Sequence, residues 1–247
     1  MTSALPTIQV SVAPGYEALR SLLLQPWPSI EEASIPHPGG RGGVRDLPGG
    51  LVLRRCRRGG ALGGLLGDRH LSPKTAWDEM RISERLMKEG VGVAEVVGVR
   101  AERRGFGWSL DVVTRRIEDA VPLRDLLPRA PAAGVARAVR RMHDSGLWHA
   151  DLNLQNILVT GDGGIRIIDL SGSRVKRPLP MSARLDNIAR LYRSLVKQHL
   201  PVAAFTLGRF LLTYFDGNRA AARKAIAACR AKLRRHRLWW ALTGRAR

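Results

Sequence analysis

Residues Asn156 to Leu170 read NILVTGDGGIRIIDL. Two aliphatic runs flank Gly161-Asp162-Gly163-Gly164, a turn signal, so the pattern predicts a β-hairpin. A tight hairpin leaves its two open ends side by side. Asn156 stands just before the first strand and Asp169 just after the second, so an amide and a carboxylate are predicted to meet at one edge. Ahead of them, Trp148-His149-Ala150-Asp151-Leu152-Asn153 adds an imidazole and a second carboxylate. Polar groups are costly to bury unpaired, so the cluster is either a surface turn or a place where chemistry is done. Taken alone, Asp151 reads as a turn residue. With Asn156 and Asp169 spaced across the hairpin, the reading turns to chemistry. Two oxygen donors suit Mg²⁺, which takes one or two protein ligands and completes its shell with water and phosphates. Asp151 beside them is placed to accept a proton from a hydroxyl.

The chain has 247 residues, 45% hydrophobic, enough for one large domain or two small lobes. Its 41 Lys and Arg against 21 Asp and Glu leave a formal charge of +20. Such an excess implies an anionic partner: nucleic acid, an acidic membrane surface or a phosphorylated substrate. A high-GC coding bias would also enrich Arg, Ala and Gly. Cys56 and Cys229 lack metal-ligand spacing and suit a reducing compartment. The first residues, MTSALPTIQVSV, do not resemble a signal peptide, and no apolar run approaches the ~20 residues of a membrane span. The expectation is a soluble or peripheral, cytoplasmic protein.

Along the first half, Pro48-Gly49-Gly50 is predicted to turn between two short strands, the second being LVLRR. A helix is expected from Ser72-Pro73 to Gly90, with Ala76, Met80, Ser83 and Met87 on one face. Strands AEVVGVRA and WSLDVVTRRI follow, split by RRGFG. This half reads as a small, mostly antiparallel sheet with one helix. The second half reads as mainly helical: AGVARAVRRMHDSG ending near Gly146, then the hairpin. Next comes a helix with Leu185, Ile188, Leu191, Leu195 and Val196 at helical spacing, then VAAFTLGRFLLTYF and a long basic C-terminal helix. The boundary falls near Arg115 to Asp119, dividing the chain into residues 1–116 and 117–247.

His149-Ala150-Asp151-Leu152, then Asn156, then Asp169 resembles, in order and spacing, the catalytic loop and metal-binding aspartate of the protein-kinase-like superfamily. The resemblance implies an α+β, two-lobe fold with a small antiparallel-sheet N-lobe and a mainly helical C-lobe. It also implies that Asp151 acts on the acceptor hydroxyl, that Asn156 and Asp169 hold Mg²⁺ with ATP, and that His149 braces the loop. In the first half, GGRGGV, with Gly40, Gly42 and Gly43, is a candidate loop over the phosphates, because glycine lets backbone approach an anion. Arg54 stands where most kinases carry the phosphate-contacting Lys, with Arg55 and Arg57 as alternatives. Val52 and Arg54 share one strand face, opposite Leu53. Glu79 is the candidate partner of Arg54 and Glu84 the fallback; Glu79 as a plain surface charge is the competing reading.

The set GGRGGV, VLRRCRRGG, GDRHL, HADLNLQNILV and NIARLYRSL resembles the 3-deoxy-D-manno-octulosonic acid (Kdo) kinases, within the lipopolysaccharide core kinases that also include heptose kinases. Asn153, where protein kinases usually carry Lys, is the most specific mark. Leu170-Ser171 replaces a usual Phe-Asp, and Cys56 replaces an aromatic. The resemblance implies ATP-dependent phosphorylation of a Kdo hydroxyl on a lipid-linked anionic acceptor, at the cytoplasmic face of an inner membrane. An anionic membrane surface is then a natural partner for a basic chain, and no nucleic acid is expected. The segment AKLRRHRLWWALTGRAR, with Trp239 and Trp240, either rests among headgroups or packs its Trp side chains on the lobe. The competing readings are a heptose kinase, a small-molecule phosphotransferase, an atypical serine/threonine protein kinase and a non-catalytic basic nucleic-acid-binding module. The stretch LSGSRVKRPLP, Leu170 to Pro180, is short for the activation segment of a protein kinase. Oligomeric state is not legible in the sequence.

Overall fold

The computed structural model describes residues 7–38, 43–57, 69–127, 129–197 and 203–242, with side chains described outside 203–206 and 236–242. The chain divides into two units, residues 1–87 with 94–117, and residues 88–93 with 118–247.

In the first unit, alternating apolar residues build β1 (Ile8–Val12), followed by α1 (Glu17–Leu23), α2 (Trp27–Glu32) and the two-residue β2 (Ile35–Pro36). Then come β3 (Val44–Leu47), β4 (Leu51–Arg55), α3 (Lys74–Lys88), β5 (Val96–Arg104) and β6 (Gly107–Arg115). The strands form one antiparallel sheet in the order β1-β5-β6-β4-β3-β2. The β3–β4 turn is the expected Pro-Gly-Gly. Gly49 and Gly50 have φ of 78° and 70°, a pair of left-handed residues that glycine adopts without steric cost.

Period-two alternation splits the sheet into two apolar faces. Leu51, Leu53, Val97 and Val113 pack with Leu19 and Leu23 of α1 and Ile30 of α2. Cys56, Val96, Val99, Ala101, Leu110 and Val112 pack with Ala76 of α3, flanked by Trp77 and Met80. Fully burying a side chain such as Leu23, Ile30 or Leu53 contributes roughly 1.5–3 kcal/mol. The structure corrects three expectations here. Two short helices, α1 and α2, join the single helix expected, and β1 adds a strand at the edge. The inward face of α3 is Ala76, Glu79, Ser83 and Leu86, while Met80 is half-buried and Met87 is 41% exposed.

One residue ties α1 to the sheet. Arg100 of β5 is fully buried. Its Nε donates to Leu23 O (2.8 Å) and its Nη2 to Gln25 O (3.1 Å). Its Nη1 donates to Glu102 Oε2 (3.0 Å) and Asp111 Oδ2 (3.1 Å). Burying a guanidinium is tolerable only when its donors are matched in this way, and a cation at the end of α1 also complements that helix's exposed carbonyls.

The second unit contains β7 (Ala120–Pro122), a 3₁₀ turn (Leu123–Leu126), α4 (Ala132–Asp144), β8 (Leu147–Trp148), β9 (Ile157–Thr160) and β10 (Ile165–Ile167). It continues with β11 (Arg174–Val175), α5 (Met181–Val196), α6 (Ala203–Tyr214) and α7 (Arg219–Leu242). The hairpin forms as expected, with Ile157 opposite Ile167 and Val159 opposite Ile165. Two features were not read from the sequence: β7 extends the hairpin into a β10-β9-β7 ladder, and β11 pairs with β8. Gly146 ends α4 at φ 83°, and any Cβ there would stand 2.7 Å from Lys176 O, so only glycine lets β11 close on the helix end. On α5, Ile188, Leu191 and Leu195 are buried, while Leu185 and Val196 at the margins are half-buried. Both cysteines are buried and neither forms a disulfide.

Candidate active site

In the first unit Arg54 projects from β4 toward α3, and its Nη2 lies 2.7 Å from Glu79 Oε1. The Arg54 side chain is 24% exposed and that of Glu79 only 2%, so Glu79 is no surface charge. Arg54 Nη1 also approaches Cys56 Sγ at 3.7 Å. Arg55, the neighbouring alternative, points to the other sheet face. Its Nε donates to Asp111 Oδ1 (3.0 Å), and its guanidinium lies 3.4 Å from the centre of the Trp27 ring. Arg57 and Glu84 are exposed. Gly43 has φ 105°, and its carbonyl accepts the Arg55 N–H at 2.8 Å. Gly40 and Gly42 lie outside the described residues, as do the side chains of Trp239 and Trp240.

In the second unit the loop from His149 to Asn156 is held from several sides. The His149 ring is fully buried. Its Nδ1 accepts the Asp151 N–H (3.1 Å) and its Nε2 donates to Ile168 O (3.1 Å). Both bonds require the neutral ring with hydrogen on Nε2. Burial lowers the pKa of His149 from its usual value and so keeps that form. The ring therefore links Asp151 to the residue before Asp169, the bracing role expected from the kinase resemblance.

Asn153 makes an Asx turn. Its Oδ1 accepts the N–H groups of Gln155 (2.8 Å) and Asn156 (3.1 Å), while its Nδ2 donates to Asp151 Oδ2 (3.0 Å). Asn156 Nδ2 donates to Asp151 O at 2.9 Å, which turns its carbonyl oxygen away from the loop. The Asn156 backbone carbonyl accepts the Ile168 N–H at 3.0 Å, so Asn156 lies opposite Ile168, one residue short of Asp169. Asp169 is half-buried at φ 60°, a left-handed conformation that is uncommon outside glycine and that clusters at functional sites. The hairpin thus brings Asp151, Asn156 and Asp169 to one edge. The Asp151 side chain is 60% exposed there.

Three further residues hold this edge, and the sequence reading did not single them out. Asn187 of α5 is fully buried. Its Oδ1 accepts the His149 N–H (2.9 Å) and its Nδ2 donates to His149 O (2.7 Å). Two turns along α5, Ser194 Oγ accepts the Leu154 N–H at 3.2 Å. Between them Arg190 Nη1 lies 3.2 Å from Asp151 Oδ1. Positions 187, 190 and 194 fall on one helix face. That spacing in NIARLYRS is the signal that was there to find.

Behind Asn187 the network continues. His143 Nε2 contacts Asn187 Oδ1 (3.3 Å), and His143 Nδ1 contacts the Tyr214 hydroxyl (2.8 Å). Burial pushes the His143 pKa down from 6.5 to about 4, against the opposing hydrogen bond to Asn187. A depressed folded-state pKa means that the unfolded chain binds the extra proton first. His143 therefore contributes stability that is complete above about pH 6.5 and is lost as pH falls through about 4. The loss should approach about 3 kcal/mol. Urea unfolding between pH 8 and pH 4 is expected to show this acid slope, reduced in His143→Gln. An identical slope in the variant would remove His143 as its source.

The edge suits a divalent ion only in part. Asn156 Oδ1 and the Asp169 carboxylate are hard oxygen donors. Among the described residues no group of three or more His, Cys, Asp or Glu side chains is gathered as a metal site. A Mg²⁺ ion here would need further oxygens from water and phosphate, its usual habit when bound with a nucleotide.

Residues 31–214 match the lipopolysaccharide kinase (Kdo/WaaP) family. The chain is similar to the 3-deoxy-D-manno-octulosonic acid kinase of Photobacterium profundum, at 34% identity over 159 residues, covering 60% of this chain and 66% of that protein. It is likewise similar to the protein of that name from Xanthomonas campestris pv. campestris, at 34% identity over 173 residues, covering 64% and 68%. The match to the Photobacterium protein thus spans just under two thirds of that relative's length. Among solved structures, "WaaP in complex with acyl carrier protein" has a TM-score of 0.58 at 21% identity, covering 92% of this chain and 97% of that one, which shows a shared kinase-like α+β fold.

Proposed function

The chain belongs to the lipopolysaccharide kinase (Kdo/WaaP) family, and on that premise we propose that it transfers a phosphate from ATP to a Kdo hydroxyl of a lipid-linked lipopolysaccharide inner-core acceptor. The observation that carries the reading is the edge of the β9–β10 hairpin. Asp151 is open to an acceptor while its backbone is fixed by His149, Asn153 and Asn156. Asp151 receives or orients the hydroxyl proton. Asn156 Oδ1 and Asp169 are the residues that would hold Mg²⁺. ATP with Mg²⁺ supplies the transferable phosphate and neutralises charge as it moves. In the first unit Arg54, oriented by Glu79, takes the part of the phosphate-contacting cation. Gly40, Gly42 and Gly43 remain the proposed phosphate loop.

A lipid-linked acceptor carrying carboxylate and phosphate groups agrees with a net charge of +20. No helix among the described residues is long and apolar enough to cross a membrane. A peripheral position on the anionic cytoplasmic face of an inner membrane is the reading we favour. The family's acceptor favours it over nucleic acid as the anionic partner.

The direct test incubates the protein with ATP, Mg²⁺ and a Kdo-bearing lipid A precursor, followed by mass spectrometry. One added phosphate on Kdo is expected. Phosphate on heptose would move the chain to the sibling activity, and an untouched glycolipid would sink the reading. A second test addresses the nucleotide side. Arg54→Ala and Glu79→Ala should be non-additive in ATP affinity, because each removes the same interaction. Strict additivity would mean that the pair does not act together on the nucleotide.

A further inference from the structure

We propose that Arg190, supported by Arg193, forms a carboxylate-binding subsite that selects the acidic sugar of the acceptor beside Asp151; this rests on the function proposed above.

The placement follows from α5. Asn187 and Ser194 pin one face of that helix to the catalytic-loop backbone at both ends. Arg190 lies between them on the same face, so its guanidinium must emerge where Asp151 is open. It is 38% exposed and bonded to Asp151 Oδ1 at 3.2 Å. An acceptor hydroxyl must come within hydrogen-bond distance of an Asp151 oxygen. Asp151 Oδ2 accepts from Asn153 at 3.0 Å and Oδ1 from Arg190 at 3.2 Å. Each carboxylate oxygen can accept a second bond, and a hydroxyl received at Oδ1 stands beside Arg190. The neighbouring substituents of that hydroxyl then fall within roughly 6 Å of the guanidinium, the span of one sugar ring.

The Arg190–Asp151 pair is exchangeable. Ion pairs exposed to this degree shift an equilibrium by less than about tenfold. A second carboxylate presented to the planar fork can replace or share it, and Arg accepts such a group through two parallel bonds. The surroundings favour an incoming anion. Arg193 lies one turn further along α5 and is half-buried. Its pKa is lowered from the usual arginine value, first by burial and then by the like charge of Arg190. Asp186, the sole carboxylate on α5, is engaged by Lys232 of α7. An acid function on the acceptor would relieve the repulsion between the two guanidiniums. Kdo, an octulosonic acid, carries its carboxylate on the same sugar as its hydroxyls.

The experiment uses the full chain with ATP, Mg²⁺ and three acceptors: the Kdo-bearing lipid A precursor, its Kdo methyl ester, and the precursor stripped of its lipid phosphates. Wild-type kcat/KM is expected to favour the free acid over the ester by roughly 10- to 100-fold, as for a charge-assisted hydrogen bond. Arg190→Gln should lose most of that preference, and Arg190→Lys should keep part of it. A purely structural Arg190 would lower transfer to acid and ester alike and leave the ratio intact; that result overturns the inference. So does a wild-type protein that discriminates by the lipid phosphates and ignores the ester. A wild-type protein that transfers nothing to any Kdo acceptor overturns the proposed function, and the inference with it. Melting temperatures of the two variants identify any loss due to misfolding, and Arg190→Lys preserves the charge if Arg190→Gln fails to fold.

Discussion

Asp151→Asn is expected to reduce the rate of phosphate transfer by roughly 10²- to 10⁴-fold, the usual range for a positioned proton acceptor. The replacement keeps the size and shape of the side chain and removes its capacity to take a proton. Stability should hardly change. The carboxylate is 60% exposed, and its contacts with Asn153 and Arg190 lie at the surface. Losing an exposed ion pair costs about 1 kcal/mol or less, equivalent to about 2–4 °C in melting temperature for a chain of this size. Single-turnover transfer and a thermal melt on the same preparation separate the two effects. Turnover near wild type would return Asp151 to the status of a turn residue.

The second large effect is expected at Asn187, which touches no substrate in this reading. Asn187→Leu roughly conserves volume, so cavity formation is a minor term. It strands the His149 N–H, the His149 carbonyl and His143 Nε2, all in a buried site. Each orphaned buried group costs about 1–3 kcal/mol, so a loss of about 3 kcal/mol or more is expected, or roughly 6–12 °C in melting temperature. Activity at a temperature where the variant is still folded should fall as well, because the lost bonds fix the backbone two residues before Asp151. Denaturant unfolding is the check. A destabilisation below about 1 kcal/mol would mean that water or a rearranged neighbour satisfies these groups.

The contrast between these residues shows what was legible before the structure. The hairpin could be read because its turn chemistry and strand alternation agree; Asn156 and Asp169 follow from it by register, and Asp151 from its place just ahead of the first strand. Arg54 and Glu79 came from the kinase resemblance; strand alternation alone set only the face of Arg54, opposite Leu53. Asn187, Arg190 and Arg100 were not. A polar residue on a predicted amphipathic helix reads as solvent-facing by default, since burial of an amide is tolerated only where its partners are known. Those partners here, the His149 backbone and the His143 ring, are 38 and 44 residues away in sequence. Arg100 in VGVRAERR reads as one more surface charge for the same reason. The inward face of α3 was misjudged because Glu79 replaces an apolar residue at a core-facing turn, which drew the predicted stripe toward Met80 and Met87. β1 was overlooked although Ile8, Val10 and Val12 alternate, because five residues carry little weight without their sheet partner.

The buried guanidinium of Arg100 also bears on where this protein can be cut. The family match begins at residue 31, after α1 and most of α2. A polypeptide trimmed to that boundary would lose Leu23 O and Gln25 O, two of the four acceptors around Arg100, together with the Leu19, Leu23 and Ile30 side chains that cover one sheet face. It would also lose the Trp27 ring beneath Arg55. The charge would then sit half-matched against an uncovered apolar surface. The segment shared across the family is therefore narrower than the smallest piece of this chain expected to fold, and an excision for expression or fusion should begin ahead of β1.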